Sequence, residues 1–335
     1  MNFKKMITLM TISGVLLAVG TTSHAFAETN DTTVGSNATS KVIDVQVKKS
    51  LIKLISNVVY EQVHTLGYEN VAMKMDVLKP QTKEKLPGVV FITGGGFIHA
   101  NKDSYIQQRM ELAEAGYVVA SVEYRVAPTA TFPQPLEDVK SAIRYLKEHA
   151  EEFNLDPNNI GVMGESAGGY LSAMVGTTNG TKTFDKGDNL NQNSDVKAAV
   201  DIYGLSDLTR VGSDFSKEIQ DKHKSAGATE ALWVDGSPIF GGKDGGILTD
   251  PEKATAANPM TYISKKSAPF LLMHGNKDTL VSPSQTEILN QALLDHRIES
   301  TRYIVNGAQH GGVYWVQPEV MNVVIDFFNK HLKAN

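Results

Sequence analysis

Residues 160–174 read Ile-Gly-Val-Met-Gly-Glu-Ser-Ala-Gly-Gly-Tyr-Leu-Ser-Ala-Met, and the fold turns on how this stretch is read. An apolar run, Ile160 to Met163, predicts a buried strand. Tyr170, Leu171, Ala173 and Met174 follow at helical spacing, so a strand passes into a helix through Gly164-Glu165-Ser166-Ala167-Gly168. Glycines two before and two after the serine let strand and helix approach without a Cβ clash. The serine between them is then held in strained backbone with its hydroxyl projecting outward. It also opens a helix, whose unpaired N–H groups favour a developing negative charge. The other reading is a Gly-rich turn with Ser166 as its N-cap.

Outward from this turn, strands and helices alternate. Short β-branched runs recur at 71–77, 88–93, 117–124, 160–164, 198–203, 270–274 and 301–305. Helical spacing is clearest at 105–115, 135–153, 166–176, 283–296 and 318–332. The alternation predicts an α/β fold, a mostly parallel sheet with helices on both faces, whose chemistry gathers at the carboxyl ends of the strands. The first run is more polar in its alternation and is expected to be an antiparallel edge. Two stretches break the rhythm, 177–195 and 206–258. Both are expected to be inserted lid-like or substrate-shaping loops on the active face.

A lone serine is a weak nucleophile and needs a base. In this architecture the partners follow in the order serine, acid, histidine. Of the nine histidines, five lie downstream of Ser166: His223, His274, His296, His310 and His331. His331 and His296 belong to helices, and His223 to the irregular insert. His310 sits in a Gly-rich loop beyond the strand at 301–305. The run Phe270-Leu-Leu-Met-His-Gly-Asn-Lys-Asp278 offers the acid at the preceding strand end. Asp278 accepting from Nδ1 of His310 fixes the tautomer that leaves Nε2 free for the serine proton. The rival pair is His274 as base with Asp207 as acid.

After the strand at 88–92 comes Thr93-Gly94-Gly95-Gly96-Phe97. Consecutive glycines let backbone N–H groups face a substrate oxygen unobstructed. Gly95, Gly96 and Ala167 are therefore the expected oxyanion donors. A phosphate loop requires a Gly-Lys-Ser/Thr that is missing here. Phe97, Tyr314 and Trp315 are the candidate substrate contacts, with packing under the His310 loop the alternative for the last two. Arg125 and Asp138 are expected to pair structurally, and Glu165 to be oriented by a neighbour. Between Asp185 and Asp195 the oxygen side chains miss calcium-loop spacing, and no His-Glu-x-x-His occurs. No metal and no cofactor are expected.

The 335 residues, 41% hydrophobic and 21% charged, suffice for a full core and exclude a disordered or fibrous chain. The formal charge of -5, with no basic block, argues against nucleic acid as partner. Absence of cysteine excludes disulfides, a catalytic thiol and thiolate metal sites. Lys4 and Lys5, an apolar run to about Val19, and Ala25-Phe26-Ala27 read as a signal peptide over 1–27, cleaved after Ala27. A polar leader over 28–41 and one catalytic domain over 42–335 follow, with a secreted, extracellular address and no membrane partner after cleavage. Residues 42–57 suit an amphipathic segment packing on the body.

In combination, Gly94–Phe97 (GGGF), EYRVAP at 123–128, FPQPLEDVKSAIRYL at 132–146, LDPNNIGVMGESAGG at 155–169, YGLSDL at 203–208 and HGNKD at 274–278 resemble the α/β-hydrolase fold. Within it they resemble the carbohydrate-esterase-like group of feruloyl and acetyl-xylan esterases, related to the hormone-sensitive-lipase group. The resemblance spans 71–332. It implies Ser166 as nucleophile, Asp278 as acid, His310 as base, and Gly95, Gly96 and Ala167 as oxyanion donors. One position departs: Thr93 stands where those relatives carry His, removing the side chain that stiffens this loop there but not its backbone donors. The expectation is a serine esterase acting on short-chain or aromatic acyl esters, small or linked to polysaccharide, with acetyl and feruloyl the candidates. A peptidase of the same fold and a non-catalytic binding protein are the alternatives.

Overall fold

The structure, a computed structural model, describes residues 41–333. The predicted signal peptide and nearly all of the leader lie outside the described residues. Contacts divide the chain into Met1–Val47 and Lys48–Asn335. In the first unit, residues 41–47 have no regular secondary structure and are exposed. The second unit is the body.

Its strands are β1 (Ile52–Thr65), β2 (Tyr68–Pro80), β3 (Leu86–Ile92), β4 (Val118–Val122), β5 (Leu155–Glu165), β6 (Ala199–Ile202), β7 (Phe270–Gly275) and β8 (Ser300–Val305). They form one sheet in the order β1-β2-β4-β3-β5-β6-β7-β8. β1/β2 and β2/β4 are antiparallel and the rest parallel. The helices are α1 (Ile106–Glu114), α2 (Gln134–Glu148), α3 (Ala150–Phe153), α4 (Ala167–Thr177), α5 (Lys217–His223), α6 (Thr229–Asp235), α7 (Pro251–Ala256), α8 (Ser284–Asp295) and α9 (Pro318–Leu332). Parallel neighbours need crossovers, and these helices supply them. One face of the sheet packs on α2, α4 and α8 through Leu136, Ile143, Tyr170, Leu171 and Leu289. The other packs on α1 and α9 through Leu112, Met321, Val324 and Phe328. Among the described residues no helix is long and apolar enough to cross a membrane.

Three expectations need correction. β2 is antiparallel but is not the edge, because β1 lies outside it. The segment 42–57, expected to be amphipathic with helical spacing, instead enters β1. A register shift between Ile55 and Val58, where Asn57 adopts φ 57° and its N–H donates to Asp76 Oδ1 at 2.7 Å, breaks the period-two alternation. Leu51, Ile52, Leu54 and Ile55, whose spacing suggests a helix, all precede this shift: Ile52 to Ile55 pair in regular register with Pro80 to Val77, and Leu51 and Leu54 are exposed.

The third correction concerns 177–195. This stretch leaves the far end of α4, eleven residues and roughly 16 Å from Ser166. It packs beside Lys197 and Pro269, which precede β6 and β7, and so lies at the amino ends of the strands, away from the active face. The buried Arg144 holds it, donating to the carbonyls of Lys186 and Asp188 and to Asp185. Its glycines and amides serve a pinned structural loop.

Candidate active site

Ser166 stands between β5 and α4 with φ 55° and ψ -121°, a strained conformation outside the ordinary allowed regions. The flanking glycines are sterically required. A Cβ on Gly168 would lie 2.0 Å from the Ile92 carbonyl oxygen, and one on Gly164 would lie 2.3 Å from that of Gly168. The Ser166 N–H donates to Ile202 O at 2.9 Å, fixing the turn against β6.

The structure brings Ser166, His310 and Asp278 into one hydrogen-bonded chain. His310 Nε2 is 2.8 Å from Ser166 Oγ, and His310 Nδ1 is 2.7 Å from Asp278 Oδ2. Asp278 Oδ1 accepts the N–H groups of Leu280 and Val281. Burial pushes its carboxyl up, but hydrogen bonds from His274 and His310 overcome this and hold it well below the usual carboxylate range. His274 is completely buried, with Nε2 on Asp278 and Nδ1 3.2 Å from Thr286 Oγ1. It cannot meet substrate. Asp207 caps Thr209 instead, so the rival pair is not assembled.

Gly95, Gly96 and Phe97 all have positive φ, at 155°, 57° and 67°. A Cβ on Gly95 would fall 2.0 Å from the His99 carbonyl oxygen, so only glycine fits there. The Gly95 and Gly96 amides take no backbone acceptor among the described residues. Two cavities meet at Ser166. One, of about 460 Å³, is lined mainly by apolar groups: Phe97, Ala167, Leu205, Ile219, Ala228 and Val281 among them. The other, of about 550 Å³, contains His310, His99, Ser104 and Tyr105. Gly96 and Leu280 border both.

The remaining expectations divide. Phe97 lines the apolar cavity and packs 4.4 Å from Trp233 and 5.4 Å from Tyr170, between ring centroids. Trp315 borders the second cavity but is 1% exposed, donating to Gln309 O and packing on Tyr203 under the His310 loop. Tyr314 lines neither cavity. It is exposed with its hydroxyl beside Gly307, so its expected substrate contact is withdrawn. Arg125 and Asp138 pair through several hydrogen bonds, the shortest 2.6 Å. Glu165 is buried between Gln108 Nε2 and the Tyr203 hydroxyl, and Tyr203 packs 4.7 Å from the His310 ring. Burial raises the Glu165 carboxyl to about 8, against the pull of the Gln108 bond.

Sequence reasoning missed His274 as a partner of Asp278, and missed His223. Nδ1 of His223 lies 2.7 Å from Glu230 Oε1 and ties α5 to α6 over the apolar cavity. Only the His-x-x-x-Asp spacing of residues 274–278 hinted at the first. Nothing local pointed to the second.

A strained serine at a strand-to-helix turn, a buried carboxylate orienting its histidine, and free amides beside a divided cavity can carry acyl transfer chemistry. The architecture is that of an α/β-hydrolase. Residues 75–293 match the BD-FAE family, more than half of the chain, and the protein belongs to that family. Among curated relatives, a probable carboxylic ester hydrolase, LipM of Mycobacterium tuberculosis, is 31% identical over 59% of this chain and 43% of its own length. The isoprenylcysteine alpha-carbonyl methylesterase ICME of Arabidopsis thaliana is 26% identical over 73% of this chain and 55% of its own. The chain spans about half the length of the curated relatives it matches. A solved truncated carbohydrate esterase from gut microbiota superposes with a TM-score of 0.70 at 26% identity, covering 85% of this chain and 98% of that one.

Proposed function

We propose that the protein is a secreted serine carboxylic-ester hydrolase. The observation that carries this reading is the chain of hydrogen bonds Ser166–His310–Asp278 at the junction of two cavities. Ser166 Oγ attacks the ester carbonyl as His310 Nε2 takes its proton, and Asp278 stabilises the imidazolium. The N–H groups of Gly95, Gly96 and Ala167 hold the tetrahedral oxyanion. His310 returns the proton to the departing alkoxide, releasing the alcohol and leaving the acyl group on Ser166. Water, deprotonated by His310, then attacks the acyl carbon and restores the serine.

Geometry also orients the substrate. The alcohol must leave within reach of His310, so it occupies the cavity that contains this residue. The acyl group takes the apolar cavity under α5 and α6. That volume and lining suit short-chain and aromatic acyl groups, and the esterase names among the relatives support the reaction class. Acetyl and feruloyl esters of plant polysaccharide are the proposed targets. We further propose 1–27 as a cleavable signal, 28–41 as leader and 42–335 as the catalytic domain, on the charge and apolar pattern of the first 27 residues.

The test is hydrolysis of p-nitrophenyl acetate, butyrate and octanoate and of methyl ferulate by purified residues 28–335. Turnover supports the proposal, and the profile separates acetyl from feruloyl preference. Silence on all four from folded protein overturns it.

A further inference from the structure

Two hydrogen bonds hold His310 by the edge of its ring, Nδ1 to Asp278 and Nε2 to Ser166. Neither fixes the tilt of the ring about the line joining those contacts. The loop that carries it is poor in stiffness of its own, since Gly307, Gly311 and Gly312 all have positive φ. A wall stands against the ring instead. The Tyr203 ring lies 4.7 Å from that of His310, tilted by 53°, and 4.6 Å from that of Trp315, at 68°. It thereby joins the base to the turn that follows it in the chain.

Resting on the esterase reading above, we propose that Tyr203 is a positioning residue, whose ring sets the tilt of the His310 imidazole and whose hydroxyl, anchored on Glu165, holds that ring in place. Three observations bear on it. Tyr203 follows β6 with φ 42°, a left-handed backbone that an aromatic residue holds only when its surroundings impose it, and its N–H donates to Met273 O of β7 at 2.7 Å. Its hydroxyl donates to Oε2 of Glu165, the residue before the nucleophile. Gln108 Nε2 of α1 donates to Glu165 Oε1 and, at 2.8 Å, to the Trp315 carbonyl. Glu165, Tyr203, Trp315 and Gln108 thus close a buried circuit that ties the Ser166 turn to the His310 loop. Asp278 has no part in it. The acid orients the imidazole in its plane, and the circuit orients it out of plane.

Tyr203→Phe and Tyr203→Leu test the two halves of this arrangement. The first keeps the ring and frees it from Glu165, and it is expected to lower kcat by about tenfold. The second removes the wall, and a fall of about 10² is expected, the cost of a catalytic group displaced by about 1 Å. In both, KM stays within about a factor of two, and p-nitrophenyl acetate and methyl ferulate lose rate in the same proportion, because His310 serves every ester alike. The low-field proton resonance of the His310–Asp278 hydrogen bond, sharp in the parent, broadens in Tyr203→Leu as the imidazole tilt is released. Parental kcat in Tyr203→Phe overturns the proposal. So does a change confined to KM or to one ester, which would make Tyr203 a substrate contact. Should Tyr203→Leu fail to fold, Tyr203→Phe alone decides. An inactive parent enzyme would instead contradict the esterase reading itself. An active parent, silenced by Ser166→Ala but indifferent to both Tyr203 changes, contradicts only the positioning role.

Discussion

His274 Nε2 lies 3.1 Å from Asp278 Oδ2, with both side chains withdrawn from solvent. The same carboxylate oxygen faces His310 Nδ1 at 2.7 Å, so one acid is oriented by one histidine and serves the other. A hydrogen bond to a charged group contributes about 1.5–3 kcal/mol, and leaving the carboxylate short of a donor changes both stability and its pull on His310. His274→Asn is expected to lower kcat by at least about tenfold with KM little changed, and to lower the urea midpoint. Steady-state kinetics and equilibrium unfolding measure the two effects. An unchanged kcat would show that Asp278 is held without His274.

Asp278→Asn separates charge from shape. The amide keeps the size of the side chain but favours the wrong imidazole tautomer, and a fall in kcat of about 10⁴ is expected. Intact folding by circular dichroism, with that loss, is the predicted pair of results.

Glu165 predicts a pH dependence of stability. Its carboxyl is raised from an ordinary 4.5 to about 8 by burial, so between those values the folded protein keeps a proton that the unfolded chain has released. Stability from this group therefore falls as pH rises from about 4.5 through 8. Glu165→Gln removes the titration. Its urea midpoint is expected to match the parent near pH 5 and to exceed it near pH 9. Parallel curves for the two proteins would contradict the assignment.

The division of the site predicts a specificity change. Ala228 borders the apolar cavity beside α6. Ala228→Phe fills part of that space and is expected to reduce kcat/KM for butyrate and methyl ferulate by about tenfold or more, sparing acetate, since lost apolar burial of one to two methylenes is worth ~1–2 kcal/mol. A change that follows the alcohol rather than the acyl group would reverse the assignment of the cavities.

Much of this site can be read along the chain because its parts are local. Gly164, Ser166 and Gly168 announce the turn by spacing, while His310 and Asp278 each follow a recognisable strand by a few residues. What stays hidden is made by distant partners. Glu165 takes its donor from Gln108, 57 residues away, and Gln108 reaches the Trp315 carbonyl 207 residues further on. In β1, Ile52, Leu54 and Ile55 put apolar residues on both faces of an edge strand, so their spacing suggests a helix although their pairing with β2 is regular. Loop 177–195 misleads because composition marks a loop without saying at which edge of the sheet it lies.

The most direct measurement is intact mass after exposure to a fluorophosphonate, with Ser166→Ala and His310→Ala in parallel and ester hydrolysis followed in the same samples. The parent is expected to gain one adduct, mapped to Ser166, and to lose hydrolysis in step. Ser166→Ala should take no adduct and retain at most about 10⁻⁴ of the parental rate, with His310→Ala labelled far more slowly. An adduct on another residue, or full hydrolysis by Ser166→Ala, would contradict the account.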